Sequence, residues 1–140
     1  MSLSSKQKQA VRAKAGDCCE YCRLSQSGSF ARFHVDHIIA LKHGGTDADD
    51  NLCLACPDCN AHKGENVAAL DPLTHDATKL YNPRQQKWDN HFRINSNATL
   101  TGLTPVGRAT IRVLRINDEE RVKQRLGELI AGDYPCQARP

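Results

Sequence analysis

The sequence predicts an α+β fold. A strand, a long loop, a second strand and a short helix form a centre stapled by zinc, a basic helix precedes them, and a hairpin with further helices follows. Three observations lead there. Two Cys-x-x-Cys turns, Cys19-Glu-Tyr-Cys22 and Cys56-Pro-Asp-Cys59, flank the centre. Between them, residues 33–39 are β-branched and apolar, with His34 and Asp36 at alternate positions, the period of a half-buried strand. Near the end, Val122, Leu126, Leu129 and Ile130 fall on one face of a helix.

In chain order, residues 5–15 carry Lys and Arg among Ala10, Val11, Ala13 and Ala15, with Ser4 or Ser5 as cap and Gly16 as stop, which predicts a short basic helix. Residues 17–23 form a tight cysteine-bearing turn and residues 25–29 a polar loop. The strand at 33–39 is followed by a Gly- and Asp-rich loop over 41–51 and a second strand at 52–55. Pro57 suits the first turn of a helix, where its missing N–H does no harm, and Gly64 ends that helix after Lys63. Residues 91–94 and 99–103 read as a hairpin about Asn95-Ser-Asn97. Thr104-Pro105 opens a helix over 105–116. Asn117-Asp-Glu-Glu120 resembles a capping box for the last helix. The tail after Gly132 is expected to fray.

A chain of 140 residues suits one domain, read here as 1–140. An aromatic share of 5% predicts a modest core that gains from a bound metal. Net charge +3 with pI near 8.5 leans mildly toward polyanions. The start, Met1-Ser-Leu-Ser-Ser-Lys-Gln-Lys, lacks an apolar h-region, and no run approaches the ~20 apolar residues of a membrane span. Seven cysteines, an odd number, argue against a fully paired disulfide set. The expectation is a cytoplasmic protein with reduced thiols and no membrane partner, in which paired Cys-x-x-Cys turns hold zinc rather than exchange electrons.

Each such turn points both sulfurs at one point, and two complete a tetrahedral thiolate site. Cys18 and the overlapping Cys53-Leu-Ala-Cys56 leave the register open, but Cys19, Cys22, Cys56 and Cys59 keep two intact turns. Cys18, Cys53 and Cys136 then read as small free thiols. Zinc in such a closed shell contributes on the order of 10–16 kcal/mol to folding and leaves no position open for chemistry.

Chemistry therefore falls to residues inside the frame. Asp36 and His37 are consecutive on a strand and point to opposite faces, so Asp36 can hold a metal while His37 reaches water from another angle. Asn51 begins the second strand, and Asn60 directly follows Cys59, where zinc would steady it. Asp36, the Asn60 amide oxygen, waters and a substrate phosphate would make a hard oxygen site for Mg²⁺. Taken singly, His37 reads as a hydrogen-bonded structural histidine, Asn51 as a turn former, Asn60 as a helix cap and Lys63 as a solvated charge. Their joint spacing favours a shared site.

The pattern resembles the HNH endonuclease family, whose consensus is C-x-x-C, D-H-I, G-G, N-L and C-x-x-C-N-x-x-K-G. Here it reads Cys19-Glu-Tyr-Cys22, Asp36-His37-Ile38, Gly44-Gly45, Asn51-Leu52 and Cys56-Pro-Asp-Cys59-Asn60-Ala-His-Lys63-Gly64. His37 precedes Asn51 by 14 positions and Asn60 by 23, a spacing also similar to the HNH domain of CRISPR nucleases. The resemblance covers about 17–66; residues 80–125, with Pro83-Arg84, Trp88, His91-Phe92 and Gly102-Leu-Thr-Pro-x-Gly-Arg108, look like small stand-alone bacterial HNH proteins.

This resemblance implies a ββα-metal core with treble-clef-like zinc and a C-terminal extension over about 80–131. It implies His37 as general base, Asp36 and Asn60 as ligands of one catalytic divalent ion, Mg²⁺ or Mn²⁺, and Asn51 as the residue that orients the histidine's loop. The implied partner is DNA, duplex or nicked, cut with little sequence preference to 5′-phosphate and 3′-hydroxyl ends. Many relatives place His where this chain has Asn60, which leaves the metal preference open and makes His62 an alternative ligand. Lys63, Lys42, Arg32 and Arg12, with Lys6, Lys8 and Lys14, are candidate phosphate contacts. His34, His43 and His91 are assigned structural or phosphate-contact roles, and Trp88 packing. The competing readings are a non-catalytic zinc-stabilised nucleic-acid-binding module and a redox or interaction protein.

Overall fold

The computed structural model describes residues 3–137. Helix α1 (Ser5–Ala15) begins where Ser4 Oγ accepts the Gln7 amide at 3.1 Å and stops at Gly16, whose φ of 62° reverses the chain. Its inward face, Val11 and Ala15, lies against the antiparallel pair β1 (His34–His37) and β2 (Leu52–Ala55). The register runs from His34 opposite Ala55 to His37 opposite Leu52. All of β2 is buried, between β1, helix α1 and the following helix. Helix α2 (Pro57–Lys63) follows at once, with Pro57 in its first turn and Cys56 as its cap. The strand, loop, strand and helix read from the sequence are thus present.

Past Gly64 the chain forms three further pieces. Strands β3 (Ala68–Leu70) and β4 (Ala77–Lys79) make a hairpin that the sequence reading did not include. Both are short and largely exposed, so neither carries the apolar alternation that marks a strand. Their turn is organised by buried Asp71, which accepts the Leu73 amide at 3.1 Å and a two-pronged Arg108 ion pair at 2.8 Å per contact. One helical turn, α3 (Trp88–His91), leads into the pair β5 (Phe92–Ile94) and β6 (Leu100–Gly102). Then come α4 (Pro105–Val113), capped by Thr104 Oγ1, and α5 (Glu119–Ala131). Helix α4 ends short of residue 116, where Arg115 turns to a positive φ of 53°.

The fold is therefore α+β: helices with three two-stranded antiparallel sheets. Aromatic packing joins the cysteine turn to the later pieces. Trp88 donates its indole N–H to the Tyr21 carbonyl at 2.8 Å and packs on Phe92 at 5.0 Å between ring centres. Arg84 grips Glu20 through both nitrogens, at 2.6 and 2.9 Å, and the same carboxylate accepts the Leu54 amide. Trp88 thus has the packing role expected for it.

Four expectations are corrected. Helix α5 does not bury a purely apolar stripe: its buried residues are Arg121 and Arg125, while Ile130 is 81% exposed. No capping box forms at its start; Asp118 makes no side-chain cap, and Asn117 instead brackets Leu100, accepting its N–H at 2.9 Å and donating to its C=O at 2.8 Å. The tail does not fray over residues 133–137. Cys136 is disulfide-bonded to Cys18, and buried Tyr134 donates to the Cys22 carbonyl at 2.6 Å. Neither Cys18 nor Cys136 is the free thiol expected, because the chain end folds back beside the first cysteine turn. Among the described residues no helix is long and apolar enough to cross a membrane.

Candidate metal centre and catalytic cluster

The two Cys-x-x-Cys turns meet. The sulfurs of Cys19, Cys22, Cys56 and Cys59 all lie within 4.8 Å of one another, and none of these residues is more than 1% exposed. Cys22 and Cys56 Sγ are 3.8 Å apart. A tetrahedral ion with bonds of about 2.3 Å would set sulfurs about 3.8 Å apart, so the set fits zinc. Backbone amides support the sulfurs, Cys22 N–H toward Cys19 at 3.5 Å and Cys59 N–H toward Cys56 at 3.4 Å. Hydrogen bonding from Cys19 and its neighbours holds the Cys22 thiol well below its usual range. The same neighbouring sulfurs push Cys56 up, and burial pushes Cys59 up. Cys53 stands outside the cluster with its Sγ 3.5 Å from the Tyr21 hydroxyl, which settles the register in favour of the two intact turns.

The other end of the hairpin holds the second group. His37 closes β1, and its Nε2 lies 2.7 Å from Asp47 Oδ1, in the loop between the strands. An aspartate accepts, so the ring proton sits on Nε2 and Nδ1 carries the lone pair. The pair is partly open, with the His37 side chain 24% and that of Asp47 40% exposed. Helix α1 steadies this loop: Gln7 donates to the Asp47 carbonyl at 2.6 Å.

Asn51 ties the loop shut. It accepts the Ile39 amide at 2.9 Å and donates to the carbonyls of Ile39 at 2.9 Å and Thr46 at 2.8 Å. The approach requires glycine at 45, where a Cβ would stand 1.8 Å from the Ile39 carbonyl oxygen. Gly44 supplies the adjoining left-handed turn at φ 94°.

Asp36, facing away from His37, is mostly covered, at 18% exposure. Its Oδ2 forms an ion pair with Lys63 Nζ at 3.4 Å without the alignment of a hydrogen bond. Burial pushes its pKa above the usual carboxylate range, against the pull of Lys63. Lys63 itself is 2% exposed and donates to the His37 carbonyl at 3.0 Å. It points inward and braces β1, so it does not offer its ammonium to a phosphate as expected. Asn60 and Lys63 are three apart on α2 and share one helix face. Because Lys63 reaches Asp36, that face is turned toward the Asp36 strand. His62 lines a cleft with Asp58, Glu119 and Glu120 instead.

The remaining candidates separate clearly. Arg12 and Arg32 line one groove with Ser5, Lys8 and Gln9. Burial lowers the Arg12 pKa, and the nearby Arg32 charge adds to this. Lys42 is exposed beside Glu65 at 3.5 Å. His34 and His43 are exposed, whereas His91 bonds the Thr104 hydroxyl at 2.6 Å. Asp47 was missed in the sequence reading. It stands in the acidic stretch Thr46-Asp-Ala-Asp-Asp50, where residue type does not distinguish it from Asp49 or Asp50.

Residues 19–66 match the model of the HNH endonuclease family. The match takes in both cysteine turns and Asp36, His37, Asp47, Asn51 and Asn60, and it leaves the segment from β3 onward outside. Searches of curated proteins and of solved structures return no match.

Proposed function

We propose that the HNH domain at residues 19–66 makes this chain a metal-dependent endonuclease that hydrolyses DNA phosphodiester bonds. The observation that carries this reading is the imidazole of His37, held by Asp47 through Nε2, on a strand whose neighbouring residue, Asp36, holds a mostly covered carboxylate ion-paired with Lys63. The oxygen chemistry of Asp36 with Asn60 suits a hard divalent ion such as Mg²⁺ or Mn²⁺. When bound, that ion would polarise the scissile phosphate and stabilise the leaving oxygen.

In this reading His37 Nδ1 takes a proton from water while the water oxygen forms a bond to phosphorus. The bond to the 3′ oxygen breaks, and that oxygen collects a proton from solvent. The products carry 5′-phosphate and 3′-hydroxyl ends. Asp47 keeps the ring proton on Nε2 and stabilises the imidazolium once formed. Asn51 acts through the backbone, closing the 39–46 loop whose end leads directly into Asp47 beside the ring. Zinc at Cys19, Cys22, Cys56 and Cys59 is structural. Arg12 and Arg32 are the phosphate contacts, because they line one groove together with Lys8; Asp17 offsets the Arg12 charge only in part.

Plasmid nicking by the zinc-loaded chain with Mg²⁺ or Mn²⁺ tests the proposal. His37→Ala should slow it by about 10²–10⁴-fold, the usual contribution of a general base. Equal rates for the two proteins would reject the assignment. Salt-sensitive DNA binding without cleavage under any divalent ion would instead favour a non-catalytic binding module.

A further inference from the structure

Helix α5 lies over the sulfur cluster. Cys22, Cys56, Arg121 and Arg125 line a narrow crevice between them. Arg121 is 7% exposed, and its Nη2 is 2.9 Å from Cys59 Sγ and 3.6 Å from Cys56 Sγ. Its Nη1 donates to the Leu114 carbonyl at 2.6 Å, and its Nε is 3.9 Å from Asp58 Oδ2. The guanidinium is thus anchored on one side by a carbonyl and aimed on the other at two sulfurs. Those sulfurs lie 62 and 65 positions earlier in the chain.

Four thiolates around one divalent zinc leave net negative charge in a place with almost no solvent. Such charge is unfavourable unless a counter-charge and hydrogen bonds meet it. An arginine buried on a helix face is equally unfavourable without a partner. We infer that Arg121 is a working part of the zinc centre: α5, outside the matched domain, supplies the cation that balances the thiolates and raises zinc affinity. Zinc retention and α5 docking are then one event. Removing the ion takes away the four-thiolate charge that Arg121 faces, and removing Arg121 leaves that charge unbalanced. The inference rests on zinc filling the four-cysteine set and is independent of the nuclease reading.

The experiment measures zinc affinity of the full chain by competition with a chromogenic chelator, so nicking plays no part in the readout. Arg121→Gln should bind zinc about 10–100-fold more weakly, the usual effect of losing a group that supports metal ligands. Arg125→Gln is the control. Arg125 is buried on the same helix but bonds only Ala98, Ile116 and Asn117 oxygens, so its loss should lower thermal stability and leave zinc affinity unchanged. Equal weakening by both variants, unchanged affinity in Arg121→Gln, or no zinc bound by the wild type would each overturn the inference. Should Arg121→Gln not fold, Co²⁺-loaded Arg121→Lys decides. It keeps the charge but loses the planar fork, so its thiolate-to-cobalt band should shift from that of the wild type, and an identical spectrum would overturn the contact.

Discussion

The two ends of the β1–β2 hairpin hold polar groups under opposite conditions. Beyond the Ala55 end sit four cysteines at most 1% exposed, with every sulfur facing another sulfur, an amide or Arg121. At the His37 end the imidazole and Asp47 are partly open to solvent, and the half-buried Asp36 carboxylate is ion-paired with Lys63. A closed shell can only hold the chain together, whereas an open one leaves room for a phosphate, water and an ion. The short hairpin lets the first steady the second, since Cys59 and Asn60 are neighbours on α2 and Lys63 on the same helix braces β1.

The largest expected effect separates the two ends most sharply. Stripping zinc with a strong chelator should unfold the chain, because the on-the-order-of 10–16 kcal/mol from such a site matches or exceeds the whole stability of a typical domain. Circular dichroism and Trp88 fluorescence would report it, the indole being bonded to the first cysteine turn. A metal-free chain that keeps native signals would break the comparison.

An intermediate effect should come from the open end. Asp47→Asn can offer an amide N–H to His37 Nε2 and so move the ring proton to Nδ1, the nitrogen that must take a proton from water. Nicking should fall about 10- to 100-fold, less than when a fully buried partner is lost, while zinc content stays the same. A fall in zinc content alongside activity would mean that the two ends are not separable.

The smallest effect concerns Glu128 of α5, both of whose carboxylate oxygens are covered and unpaired. Burial pushes its pKa up, with the Asp133 charge acting in the same direction. A carboxyl whose folded pKa lies above the unfolded one binds its proton more tightly when folded. Its contribution is therefore present at low pH and is lost as pH rises through the folded pKa. At pH 7 Glu128 opposes folding, so Glu128→Gln should stabilise the chain by up to about 1 kcal/mol once screening by nearby solvent is allowed for. That gain should shrink as the pH falls through the carboxylate range, and urea unfolding at the two pH values measures it. A destabilised variant at pH 7 would show that Glu128 has a donor.

Much of the centre was legible because its signals are local. Ser4 caps α1, Gly16 and Gly64 end helices, Pro57 opens one, and the alternation around Asp36 marks a strand, each within a few residues of the feature it specifies. The zinc set and the HNH motif are likewise patterns of spacing. Less was legible in α5, where Leu126, Leu129 and Ile130 implied an apolar inner face and the structure buries Arg121 and Arg125. Pattern reading assigns arginine to solvent, and only the partner atoms, sulfurs for one and carbonyls for the other, reverse that assignment.

By itself, then, the sequence determined the elements of the core, the four cysteines placed to hold a metal ion and the candidate acid, base and amides, because these follow from residue type and short spacing. The tertiary structure alone decided that Asp47 rather than Asp49 or Asp50 meets His37, that Lys63 turns inward, that Cys18 joins Cys136 across 118 positions, and that α5 closes the sulfur cluster with an arginine. Each of these pairings is between groups brought together by packing, and a charge or thiol carries no mark along the chain of the distant partner that will satisfy it.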